Sequence, residues 1–466
     1  MNFTEKRELI LKGNMNRVIL TLALPVMINN LIHTFYNLAD TYFVGKLGTT
    51  EIAAMQFVWP MIFLMISLGA GLSMAATTLI SQYIGSNQKE EAQKIGAQII
   101  SFSFVFSLVL GVIGYLLAPA ILVAMGLSGD ILRCAIAYIR VMFLGSPTMF
   151  LMFSYNAIKT GMGDTYSPMV MGGFSVLLNI ILDPIFIFTL DMGIGGAAIA
   201  TVLAQGIFGI YSVFSLFSSK NDFKLNAIDL KFHDEILKKL IKIGLPSSLG
   251  QSTEALGFMV LNIFIISFGE VTLTAFAIGN RINGLILMPA MGIGSALAAI
   301  VGQNLGAGNI ERTKKAVRSS LKLSTLFLVI AGIPLIYFSK EVIQIFTNDP
   351  LVIQQGTYYL QLITISIPLM GIFQVFIGTF QGSGHSILSM IMMMSRLWLF
   401  RLPLILILKN YTNLAENSVW YSMVFSNLIT CIIGYIMYKA GSWQKSVIKS
   451  NLSKHMSERL DENNEA

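Results

Sequence analysis

SQYIGSNQKEEAQK, Ser81 to Lys94, closes one long apolar segment and opens the next. A stretch of the same kind returns as GQNLGAGNIERTKK, Gly302 to Lys315, an offset of 221 residues. The offset holds elsewhere. It carries Pro25 to Pro246, Gly71 to Gly292, Ala75 to Ala296, Gln82 to Gln303 and Gly85 to Gly306. It also carries Tyr138 to Tyr359, Pro147 to Pro368, Gly161 to Gly382, Gly163 to Gly384 and Met169 to Met390. Single identities are cheap by chance. Prolines and glycines at one offset across four segments are not, so the chain reads as an internal duplication.

What is duplicated is a set of membrane spans. Of 466 residues, 55% are hydrophobic and 12% charged, against about 25% charged in soluble domains. Mean hydropathy is +0.71. Runs such as Met61–Ile80, Phe102–Val123, Leu321–Phe338 and Leu360–Phe380 approach or reach the ~20 residues a spanning helix needs. The pattern predicts an all-α polytopic membrane protein with twelve spans: 17–44, 52–83, 95–123, 131–159, 165–190, 194–217, 238–268, 272–302, 317–338, 350–380, 386–408 and 418–438. The polar stretch SSKNDFKLNAIDLKFHDE, Ser218 to Glu235, separates spans six and seven. The organisation is then an N-terminal segment (1–16), an N-lobe (17–217), a linker (218–237), a C-lobe (238–438) and a tail (439–466), whose end SKHMSERLDENNEA, Ser453 to Ala466, is polar and expected to lack fixed structure. Six spans per half give both halves the same orientation. The pseudo-twofold axis therefore runs along the membrane normal, as in parallel-repeat transporters.

Basic residues orient the chain. Lys6, Arg7, Lys12, Arg17, Lys89, Lys94, Lys159, the linker lysines, Arg312, Lys314, Lys315, Arg318, Lys322 and the tail fall on one side. Lys46, Arg133, Lys340 and Lys409 fall on the other. Cytoplasmic loops are the Lys/Arg-rich ones, so both termini are expected in the cytoplasm of a multi-pass protein of the plasma (inner) membrane. The net charge of +7 reads the same way, and no nucleic-acid partner is expected. The start of the chain is too charged for a signal-peptide core, so no cleaved signal is expected. Cys134 and Cys431 read as reduced packing residues.

Ionisable groups within the spans are expensive, about 2.5–3.5 kcal/mol each on insertion scales, and are functional candidates by default. They are Asp40, Asp183, Glu254, Arg140, Arg281, Arg396 and Arg401. Asp183 lies in LNIILDPIFIF, Leu178 to Phe188. Asn179 stands one turn earlier on the same face, and Pro184 frees a backbone carbonyl one turn back. Asp40 ends a polar stripe with Asn29, His33, Tyr36 and Asn37, which should line a cavity or a helix contact. The alternative for Asp183 is a carboxylate that only locks packing, and for Asp40 one that reaches water. Glu254 shares a face with Ser247 and Gln251. It either binds a cation or pairs with an arginine such as Arg281. The 26 methionines suit a pliable binding surface, although any single one reads more simply as filler. No metalloprotease, nucleophile-elbow or phosphate-loop motif is present, so the chain is not read as an enzyme and no cofactor is expected. Uphill transport then requires an ion gradient.

The sequence resembles the multidrug and toxic compound extrusion (MATE) family, prokaryotic type. The residues that carry the resemblance are FYNLADTYFVG (Phe35–Gly45), LNIILDPIFIF, GGAAIATVLAQ (Gly195–Gln205), Gly163-Asp164 and VGQNLGAGN (Val301–Asn309), within a likeness over roughly 15 to 440. The resemblance implies two six-helix lobes in a V that alternate between inward and outward openings. It implies exchange of H⁺ or Na⁺ for organic cations and other amphipathic drugs. It places a coupling-ion site, open to H⁺ or to Na⁺, on Asp40, Asn179, Asp183 and Thr201, and a substrate cavity beside Tyr36, Tyr138, Asn156 and Glu254. One departure stands out. Span ten, Tyr358–Phe380, has no acid to work with Glu254, so coupling is placed in the N-lobe.

Two carboxylates in a low-dielectric pocket cannot both ionise cheaply, so one is expected to hold a proton. Alternatively both stay ionised and Asn179, Thr201 and backbone carbonyls complete an oxygen shell for Na⁺. The rival function is a flippase for lipid-linked precursors, which would need a cationic cavity. A channel would ring its pore with equivalent groups, and this chain has a single asymmetric acid cluster. A monomer is expected.

Overall fold

A computed structural model describes residues 3–218 and 223–448. The outer part of the expected tail, 449–466, lies outside the described residues, as do linker residues 219–222. Sixteen α-helices follow one another: α1 (Phe3–Lys12), α2 (Met15–Gly45), α3 (Thr49–Gly85), α4 (Lys89–Ala124), α5 (Gly129–Leu144), α6 (Ser146–Gly161), α7 (Tyr166–Pro184), α8 (Gly193–Phe217), α9 (Asp234–Ile266), α10 (Glu270–Gly306), α11 (Ile310–Tyr337), α12 (Ser339–Gln344), α13 (Pro350–Gly382), α14 (Ser386–Met394), α15 (Leu402–Tyr411) and α16 (Asn417–Ala440). No strand occurs among the described residues.

Eleven helical segments are long and apolar enough to span, and the bent pair α5–α6 makes a twelfth. Large apolar side chains such as Leu116, Phe214 and Tyr337 are left exposed, as a lipid-facing belt requires. All twelve expected spans appear, and one is broken. The fourth, expected to run unbroken over 131–159, bends by 48° between Leu144 and Ser146. Pro147 has no amide to donate into the preceding turn, and Gly145 ahead of it lets the chain fold over. In the second half Pro368 sits within the continuous α13, where Ser366 occupies the position of Gly145. Two spans carry π-helical turns, Ile185–Thr189 after Pro184 and Ser395–Arg401 after α14.

The duplication is visible in the contacts. Gly85 lies so close to the Gln303 carbonyl that a Cβ would collide, and Gly306 lies the same way against Gln82. A Cβ on Gly71 would sit 2.8 Å from the Gly244 carbonyl, and one on Gly292 3.1 Å from that of Ala23. Gln82 Nε2 donates to the Gly382 carbonyl (3.2 Å), and Gln303 Nε2 to that of Gly161 (3.0 Å). Each partner pair is related by the sequence offset, and contacts made reciprocally are what a twofold relation produces.

These contacts also show where the lobes meet. They cluster toward the ends of α3 and α10, beside the turns that lead into the basic starts of α4 (Lys89, Lys94) and α11 (Arg312, Lys314, Lys315). Here each lobe lends its first span to the other. Ile19 and Leu22 of α2 pack in the C-lobe core, and Leu240 and Ile243 of α9 in an N-lobe core. The helix α1 bridges the two. Arg7 donates to the carbonyls of Ile84 and Gly85, while Arg312 donates to those of Ile10 and Gly13. The C-terminal segment crosses back, with Ser446 Oγ and Val447 N donating to Gln82 Oε1 at 2.9 and 3.0 Å. The described linker is docked rather than free, since Gln98 accepts from His233 N and donates to the carbonyls of Asp229 and Lys231.

Candidate functional site

Four helices of the N-lobe converge on a polar pocket. Asp40 of α2, Asn179 and Asp183 of α7, Thr201 of α8 and Tyr138 of α5 are all buried, Asp183 at 0% exposure. Asn179 Nδ2 donates to Asp183 Oδ1 (3.1 Å) and to Thr201 Oγ1 (3.3 Å). The Tyr36 and Thr201 hydroxyls share a hydrogen bond of 3.0 Å. Asp40 follows Tyr36 by one turn of α2, which brings it to the end of the pocket where Tyr36 meets Thr201. The local sequence builds this closely. Gly196 brings α8 against the π-turn, 2.6 Å from its would-be Cβ to the Phe186 carbonyl.

No basic side chain among the described residues balances the two acids. None of the ion pairs among the described residues involves Asp40 or Asp183. Three oxygens, Asp40 Oδ1, Asn179 Oδ1 and Asp183 Oδ2, are buried without a hydrogen-bond partner among the described residues. Buried acceptors are ordinarily satisfied, and an isolated buried carboxylate is costly. The pocket is therefore chemically suited to a proton on one carboxylate or to a small hard cation among its oxygens.

Between the lobes lies a second feature, a cavity of ≈ 1220 Å³. Both halves line it, with Asn29, Phe153 and Asn156 on one side and Gln251, Asn262 and Gln374 on the other. Eight methionines, among them Met65, Met74, Met259 and Met393, give it an adaptable wall. Among the described residues its only ionisable lining residue is Glu254. Pockets for drug-sized ligands typically run to about 300–1,000 Å³, so this one has room to spare.

The sequence-predicted residues divide between the two places. Asp40, Asn179, Asp183 and Thr201 come together as expected. Asn156 and Glu254 are at the cavity. Tyr36 and Tyr138, expected at the cavity wall, are not part of it: Tyr36 bonds to Thr201 in the carboxylate pocket, and Tyr138 is buried in a core cluster with Ile194 and Ala197 of α8. The polar stripe of α2 also splits: Asp40 is buried, Asn29 faces the cavity, and His33 and Asn37 are exposed. Arg281, offered as a partner for Glu254, is exposed; the actual partner is Arg396. The π-turn over Ser395–Arg401 carries that arginine, and nothing in the sequence spacing announces a π-turn. Arg401, 1% exposed, has only neutral partners, Ser426 Oγ (3.0 Å) and Asn427 Oδ1 (2.9 Å). Cys134 and Cys431 are free.

At the basic end, outside the spans, Asp164 is held by Lys6 Nζ (2.8 Å), Ser167 N (3.1 Å) and Ser167 Oγ (2.7 Å). Burial pushes its carboxyl up, but the hydrogen bonds from Lys6 and Ser167 outweigh burial and hold it below the usual range.

Comparison with known proteins gives a consistent result. A sequence model of the MatE family matches residues 25–185 and 246–407. The probable multidrug resistance protein NorM of Thermotoga maritima is 26% identical over 464 residues, 96% of each chain. An FAD transporter of Shewanella oneidensis is 27% identical over 399 residues, covering 85% of this chain and 88% of that protein. A multidrug resistance MATE family transporter of the MOP superfamily, solved in an outward-facing conformation, superposes with a TM-score of 0.88 at 27% identity, over 92% of this chain and 96% of that one.

Proposed function

The chain belongs to the MatE family of membrane transporters, which are not enzymes, and from that premise we propose that it is a secondary active multidrug efflux carrier driven by H⁺ or Na⁺ through its N-lobe carboxylates. The observation that carries this is the pair of buried acids, Asp40 and Asp183, which no lysine, arginine or histidine pairs among the described residues, with three oxygens around them that find no hydrogen-bond donor there. They stand apart from the cavity, so ion and drug occupy different places and communicate through the N-lobe helices. The positive-inside rule puts the basic end in the cytoplasm of the inner membrane. The lobes are joined at that end, so the cavity faces outward in this state.

The cycle follows from the charge. An ion entering from outside neutralises the pocket and lets α2, α7 and α8 repack. The drug leaves outward, the basic end opens, and the ion is released inside. One charge moved through 100 mV is worth about 2.3 kcal/mol, or roughly a fifty-fold drug gradient. The exported compounds are organic cations and other amphipathic drugs, consistent with a large Met-rich cavity. A pyrophosphate-carrying lipid precursor finds no cationic side chain in the cavity wall.

The test is uptake of a fluorescent organic cation into everted vesicles, wild type against Asp183→Asn. A proton gradient and a Na⁺ gradient are applied separately. Uptake under one gradient, lost in the variant, is expected and names the ion. Undiminished uptake by the variant refutes the coupling role.

A further inference from the structure

Glu254 is the one ionisable group in the wall of a cavity proposed to take charged drugs, and it is already paired. Arg396 stands behind it and donates from Nη2 to Oε1. The glutamate side chain is 21% exposed and the arginine 4%. Neither ion is saturated. Arg396 Nη1 rests 3.0 Å from the weak acceptor Met370 Sδ, its guanidinium lies 4.6 Å from the Phe373 ring centroid, and its Nε has no partner. Among the described residues the one hydrogen bond to the Glu254 carboxylate is that from Arg396 to Oε1. A guanidinium has five donors and a carboxylate room for about four, so the pair has bonding capacity to spare at both charges. Arg396 owes its place to the π-turn Ser395–Arg401, a distortion frequent at functional sites.

The empty cavity therefore carries no net charge. A monocation approaching Glu254 brings a second positive charge against Arg396 and leaves an unbalanced charge in a low-dielectric space. A simple anion meets the carboxylate before it reaches the guanidinium. A molecule with both a cationic group and a carboxylate places the first on Glu254 and keeps the second in the field of the buried Arg396 behind it, and the total stays neutral. We propose that Arg396 is a specificity-determining residue that makes this cavity favour zwitterionic amphiphiles over monocations of the same skeleton. The inference rests on the efflux reading and names the preferred substrate class within it.

A zwitterionic xanthene dye and its methyl ester differ by one carboxylate charge and test this directly. In proteoliposomes driven by the coupling ion, the wild type is expected to show about tenfold higher kcat/KM for the zwitterion, equivalent to about 1.4 kcal/mol. Arg396→Met is expected to cancel or invert that ratio, and Arg396→Lys to restore most of it. Glu254→Gln is expected to lower both dyes. A purely structural arginine predicts instead that Arg396→Met lowers both dyes in proportion, which overturns the proposal. Equal or better transport of the ester by wild type overturns it too and leaves the efflux reading intact. If wild type neither binds nor moves either dye, the proposal falls together with that reading. Should Arg396→Met not fold, the ratio of the two dissociation constants on wild-type protein, read by dye anisotropy, decides the matter.

Discussion

Gln82 and Gln303 occupy equivalent places in the two halves, yet they are not equally loaded. Both are fully buried. Gln303 makes one hydrogen bond across the lobes, to the Gly161 carbonyl at 3.0 Å. Gln82 makes one to the Gly382 carbonyl and accepts two more, from Ser446 Oγ and Val447 N. A net hydrogen bond contributes about 1 kcal/mol. Gln303→Ala should thus cost the closed basic end about 1 kcal/mol, and Gln82→Ala about 2–3 kcal/mol with its stranded partners included. In population terms these are shifts of about fivefold and about thirty- to one-hundred-and-fifty-fold toward an open basic end. Spin labels at Lys89 and Ile310, the first residues of α4 and α11 and both exposed, report the separation by pulsed electron paramagnetic resonance. The expected result is a longer-distance population that is small in Gln303→Ala and dominant in Gln82→Ala. A larger opening in Gln303→Ala, or an unchanged distribution in two well-folded variants, refutes the reasoning.

Asp164 gives a pH dependence. Its carboxyl sits below the usual value, so its contribution is fully present above the unfolded pKa of about 3.9. That contribution is lost as pH falls through the depressed folded value. Asp164→Asn should flatten the acid limb of a thermal-stability profile in detergent, and Lys6→Met should lower stability at neutral pH by about 1–2 kcal/mol after allowance for the partial exposure of Lys6. Gly145→Leu drives a side chain into Val202 of α8, and thermal denaturation should register a loss of about 1–3 kcal/mol from overpacking at the bend. Asn179→Ala removes the donor to Asp183 and Thr201; the half-saturating concentration of the coupling ion should change about tenfold while drug binding to the ion-free protein does not.

The architecture was legible because a membrane simplifies the code. Long apolar runs have one reading in a bilayer, and a fixed offset of prolines and glycines reveals the duplication. The carboxylate pocket was legible for a related reason, since an acid in an apolar span is expensive and marks itself as a candidate. What the sequence hid were matters of rotation and crossing. The apolar pattern of α2 does not tell which lobe its basic end packs against, and Ile19 and Leu22 lie in the C-lobe core. Tyr36 and Tyr138 could not be divided between pocket and cavity from spacing alone. Arg396 reaches Glu254 because a π-turn re-aims it, and α-helical periodicity does not forecast that. Pro147 signalled a bend, yet the identical Pro368 lies in an unbroken helix; the glycine at 145 and the serine at 366 accompany that difference.

The central claim is that Asp40 and Asp183 hold the coupling ion and not the drug. It is tested most directly by comparing two assays on one set of proteoliposomes, gradient-driven accumulation of a transported dye and its exchange without any gradient. Asp40→Asn and Asp183→Asn are predicted to abolish accumulation while exchange continues at a rate within about an order of magnitude of wild type. Loss of dye binding in both variants, or accumulation equal to wild type, would contradict it.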